Sequence, residues 1–88
     1  MIDPKSKEFL VSLFADLRKD LDEREPEAVE KAAMYEALLD ALDSGEFPDD
    51  ETLREYVAGL ARAIDTENRY EQAVLEHSAL TELRDALA

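Results

Sequence analysis

The chain has no cysteine and no tryptophan, and only two glycines, three prolines and one histidine among 88 residues. Without cysteine there is no disulfide scaffold, no thiolate-ligated zinc or iron–sulfur centre and no thiol nucleophile. Two isolated glycines cannot make the glycine-rich loop that cradles a phosphate. A lone histidine excludes a multi-histidine metal site within one chain. Long apolar runs are missing as well. The longest uncharged stretch is Phe9–Ala15, far short of the roughly 20 residues that span a bilayer. Residues 1–5 lack the basic region and apolar core of a secretory signal. The expectation is a cytoplasmic protein without membrane contact.

Positive charge is also scarce. Ten Lys and Arg stand against 23 Asp and Glu, a net charge of −13. DNA, RNA and anionic membranes are bound through clustered cations, so none of these is an expected partner. The two halves of the chain carry −6 (residues 1–44) and −7 (residues 45–88), which reads as a property of the whole surface. Two segments are locally denser, Asp20–Glu27 and Glu46–Glu51, each at net −4. Both coincide with predicted helix connections. Hydrophobic residues still make up 45%, too many for a disordered acidic tail, and the length suits one domain over residues 1–88.

Periodicity predicts helix nearly everywhere. Phe9, Leu10, Leu13, Phe14, Leu17 and Leu21 recur at helical spacing and fall within an arc of about 140° at 100° per residue. Asp3 suits an N-cap and Pro4 the first helical position. The first helix is expected at about 4–24, ended by Pro26. A second is expected at about 27–43, with Met34, Tyr35, Leu38, Leu39 and Leu42 surrounded by alanines. Its apolar character over most of its circumference suggests contact from two sides. Gly45 suits a left-handed C-terminal cap. A third helix, about 50–64, is capped by Asp49 or Asp50 and carries Leu53, Tyr56, Val57, Leu60 and Ile64. Gly59 within it suggests a close helix approach.

The third stripe fails beyond Ile64, so Asp65–Asn68 reads as a break. From about 67, Tyr70, Ala73, Val74 and His77 form a new stripe, and Leu80, Leu83 and Leu87 lie on a face rotated from it. Ser78 could mark a second discontinuity, and a single bent helix from about 67 to 87 fits the pattern equally well. The expected fold is all-α, a small antiparallel bundle of three to four helices that a second copy could complete. The expected core is Phe9, Leu13, Phe14, Leu17, Leu38, Leu39, Leu42, Leu53, Val57, Leu60 and Ile64.

Candidate chemistry is sparse. Asp40–Glu51 has the length of a calcium loop, with Asp40, Ser44, Gly45 and Glu51 at positions 1, 5, 6 and 12. Leu42 at position 3 offers no side-chain oxygen, and Pro48 occupies position 9, so helix capping explains the segment better. Val74 stands three residues before His77, where the Glu of a di-metal bundle motif would be. His77 has no nucleophile in a recognisable motif beside it and reads as structural. Tyr35, Tyr56 and Tyr70 sit on core faces, with hydroxyls expected at the rim. No catalytic, cofactor-binding or metal-ligating residue is assigned, and the chain reads as non-enzymatic.

In composition the whole chain resembles small proteins of halophilic archaea. Asp and Glu are abundant, Ala is as common as Leu, and Lys is limited to four. The resemblance carries no motif and no functional residue. Two function classes follow from the residues. One is a protein–protein interaction or oligomerisation module, with a homo-oligomer or another protein as partner, bound through faces left spare by the core: the second helix, Val11, or Leu80, Leu83 and Leu87. The other is an acidic mimic of nucleic acid, or a regulator of a basic protein. Cations held loosely by the surface carboxylates are expected in either case.

With 13 more acids than bases, compaction brings like charges together. Raising salt from about 0.1 M to about 1 M shortens the screening length from about 10 Å to about 3 Å. The melting temperature at neutral pH should therefore rise with potassium chloride. A flat or falling value in a thermal melt would contradict the repulsion argument.

Overall fold

The computed structural model describes residues 2–64 and 71–87. It contains four helices: α1 (Pro4–Lys19), α2 (Ala28–Ser44), α3 (Glu51–Ala63) and α4 (Glu71–Ala86). No strand occurs among the described residues, so the chain is an all-α bundle. The expected break at Asp65–Asn68 and the place of Tyr70 lie outside the described residues.

The caps follow the local chemistry. Asp3 accepts a hydrogen bond from the Lys5 N–H at 2.9 Å, and Pro4 follows it. Asp50 accepts from the N–H groups of Thr52 and Leu53 at 3.0 and 3.2 Å. Each satisfies N–H groups that a helix start leaves unpaired. Gly45 ends α2 at φ 78°, ψ 4° and donates to the Ala41 carbonyl at 2.8 Å. It is the one described residue with positive φ, where a side chain would be strained.

The first helix is shorter than its periodicity predicts, ending at Lys19 and not near residue 24. Acids are unfavourable at the negative end of a helix dipole, and Asp20, Asp22, Glu23 and Glu25 crowd that end. Asp22 turns its carboxylate to the Arg24 N–H at 3.0 Å, a local bond that competes with helix. Pro26 occupies a turn closed by the Ala28 N–H on the Glu25 carbonyl at 3.1 Å, and α2 starts two residues later.

The helices α1 and α2 run antiparallel. Lys7 and Leu42 line a cleft at one end of the pair, and Arg18 and Val29 line another at the opposite end. The backbones of α1 and α2, of α1 and α4, and of α3 and α4 approach closely, whereas α2 and α3 stand further apart. The core gathers side chains from all four helices, including Leu10, Phe14, Leu38, Leu42, Val57 and Leu83, each essentially inaccessible.

Three expectations are corrected by the packing. Phe9, Leu13, Leu17, Leu39, Leu60 and Ile64 are only partly buried and flank the core. Leu80, Leu83 and Leu87 are not a spare face: all three are buried within the chain. The helix carrying them runs unbroken through Ser78, and it is Val74, in the other stripe, that stays 58% exposed. Gly59 meets no neighbouring helix, since a Cβ there would touch only its own helix's Arg62 guanidinium at 3.9 Å.

Removing a fully buried leucine loses its transfer energy and leaves a cavity, together about 2–5 kcal/mol. Leu83→Ala should fall in that range, and Leu60→Ala clearly below it. Urea unfolding of the two variants checks the order.

Candidate functional site

The residues singled out for chemistry do not converge. Asp40 and Leu42 belong to α2, and Leu42 is buried. Ser44 accepts a hydrogen bond from the Glu46 N–H at 3.2 Å, and Glu51 opens α3. The Asp40–Glu51 segment is thus occupied by helix, cap and turn. His77 is half-buried on the flank of α4. Among the described residues, no group of three or more His, Asp or Glu side chains is placed to hold a metal ion. No helix there is long and apolar enough to cross a membrane.

Two of the tyrosines do come together. Their hydroxyl oxygens, on Tyr35 of α2 and Tyr56 of α3, are 2.7 Å apart in a hydrogen bond. Their ring centroids are 5.9 Å apart and tilted by 56°. Phe14 of α1 also stacks on Tyr35, with ring centroids 6.1 Å apart. Tyr35 is 3% exposed and Tyr56 more open. Burial, and then the bond to Tyr35, raise Tyr56 well above the usual phenol range. The pair joins α2 to α3 through one hydrogen bond between neutral phenols.

Among the described residues, exposed large apolar side chains occur on α4, at Val74, and over α1 and α2. Val29 is 78% exposed and Val11 37%. Residues three, four or seven apart share one side of a helix. Lys7, Val11 and Arg18 therefore form one edge of α1, and Val29, Glu36 and Asp43 one edge of α2. The two edges meet where Arg18 pairs with Glu36. Beside that pair is a cleft of about 650 Å³, floored by Ala28, Val29, Ala32 and Ala33 and flanked by Arg18, Lys19 and Glu23.

Charge is uneven at this scale, although it is even between halves of the chain. Helix α1 carries Lys5, Lys7, Arg18 and Lys19 against Glu8 and Asp16, a net +2. In α2, Glu30, Glu36, Asp40 and Asp43 oppose Lys31 alone, a net −3. The α1–α2 face thus has a basic bank and an acidic bank, with one exposed valine in each and an apolar cleft at the Arg18 end. Sequence periodicity places Val11 off the core stripe, but the pairing of the two banks needs the helix packing. In comparisons with protein-family models, with curated proteins and with solved structures, no match to this chain is found.

The tyrosine bond makes an asymmetric prediction. Tyr56→Phe leaves the buried Tyr35 hydroxyl without that partner, a cost of about 1–3 kcal/mol. Tyr35→Phe leaves Tyr56 nearer to water, so it should cost less, and the double variant should recover part of the loss. The raised folded value of Tyr56 also sets a sign. Stability is intact below the unfolded phenol value, about pH 10, and falls as pH rises through it towards the folded value. Alkaline melts of wild type and Tyr56→Phe, with a weaker fall in the variant, check this.

Proposed function

We propose that the chain is a non-enzymatic helical docking module that binds another protein chain through the α1–α2 face. The observation that carries this reading is the exposure of Val29 in the apolar lining of the cleft, with Val11 exposed further along α1. Exposed apolar surface framed by charged side chains is the usual composition of an interaction patch. The C-terminal leucines are buried within the chain and so are not offered to a partner. An acidic mimic of nucleic acid would need one continuous acidic row, and the basic bank of α1 interrupts any such row on this face. The compositional likeness to halophilic proteins accounts for acids elsewhere on the surface without assigning them a partner.

A photo-crosslinking amino acid in place of Val29, introduced in cells, tests the docking reading. The same amino acid in place of Val74, exposed on α4, is the control. A protein adduct specific to position 29 is expected. No adduct, or equal adducts at both positions, would overturn the reading.

A further inference from the structure

The two banks of the α1–α2 face carry opposite charge, and that arrangement selects a partner. A two-fold axis parallel to the helices and lying in the interface places α1 of one chain over α2 of the other. The basic edge of each α1 then meets the acidic edge of the opposite α2, and the match occurs twice. A two-fold axis perpendicular to the helices would set basic edge on basic edge, which is repulsive.

We propose that the occupant of the α1–α2 face is a second copy of this chain, docked about a two-fold axis parallel to α1 and α2. The proposal rests on the docking reading above and narrows it to one partner. The register follows from the observed packing. Within one chain Lys7 and Leu42 share the level of one cleft, and Leu21 and Val29 that of the other. Rotation about an axis along the helices preserves those levels. Each Lys7 therefore comes opposite Asp43 of the other copy, and each Arg18 opposite Glu36. Val29 comes opposite Leu21, and the two Val11 side chains lie between the levels of the two clefts.

The rest of the surface cannot do this as readily. Each copy carries −13, so approach through most orientations is opposed by like charge. The α1 edge is where cations are gathered into one helix of net positive charge. The face is about 24 Å long, from 16 residues at 1.5 Å each. That places it among small interfaces, under about 1,200 Å² in total, so association is expected to be weak and reversible.

Sedimentation equilibrium at about 100 μM chain in about 0.5 M potassium chloride, where long-range repulsion is screened, reads the mass directly. The wild type should approach twice 9.9 kDa. Two charge-altered variants provide the decisive comparison: Lys7→Glu with Arg18→Glu, and Glu36→Lys with Asp43→Lys. All four positions are exposed, and circular dichroism checks that each variant is folded. Alone, each variant sets like charges against each other across the axis, so its dissociation constant should rise about tenfold or more. Mixed one to one, the two variants restore both complementary edges, and the dimer mass should return. A wild type at 9.9 kDa throughout overturns the proposal, as do variants that associate like the wild type or a mixture that stays monomeric. A position-29 adduct with a different protein would also overturn it while leaving the docking reading intact. Absence of any adduct at position 29 removes both.

Discussion

The wider gap between α2 and α3 is closed by aromatic side chains, and the bundle depends on that closure. The other neighbouring helices approach backbone to backbone, helped by small buried residues such as Ala61 and Ala79. Across the α2–α3 seam, Phe14, Tyr35 and Tyr56 form a row of three rings from three helices. Rings of this size fill what would otherwise be a void, and voids cost both transfer energy and dispersion contacts. The hydroxyl bond between the tyrosines satisfies the polar ends that burial would leave exposed to a low-dielectric interior. Filling and satisfaction are thus achieved by the same pair.

Much of this was legible in the sequence, for identifiable reasons. Helix positions followed from apolar spacing, and the caps at Asp3, Gly45 and Asp50 from residue chemistry that acts over two or three positions. The early end of α1 was visible in principle, because the acids from Asp20 to Glu25 disfavour a helix C-terminus. The pull of the apolar pattern through Leu21 masked that signal. The fate of the C-terminal leucines was not legible. Two overlapping stripes competed in α4, one through Val74 and His77 and one through Leu80, Leu83 and Leu87. Periodicity finds a face but does not say which of two faces the rest of the chain covers. The same limit applies to the candidate face. Val11 could be seen to fall off a core stripe, but the exposure of Val29 and the meeting of two edges of opposite charge come only from packing.

Charge illustrates how averaging conceals organisation. Halves of nearly equal net charge suggested a uniform coat, yet the acids are concentrated in connections and in α2 and α4, while α1 is positive. Acids in the connections are solvated and carry little interaction energy. Charges along a helix edge are fixed in spacing by the helix itself, about 5–6 Å between neighbours on one side, and so can be matched by a partner with the same spacing. The functional weight of a charge in this molecule therefore depends on whether a helix holds it in register.

The close packing of α1 on α4 joins the first helix of the chain to the last. Leu10 and Phe14 share one buried cluster with Leu80, Leu83 and Leu87, some 70 positions later in the sequence. During synthesis, α1 and α2 can form a hairpin early, because their contacts are local and local contacts form fast. That hairpin keeps one apolar side open until Leu80, Leu83 and Leu87 have emerged. Through that interval the nascent hairpin is an incomplete core with an adhesive flank, the condition under which chaperones and co-assembling chains are recruited. Folding of this bundle is therefore timed by the arrival of its final turn of helix.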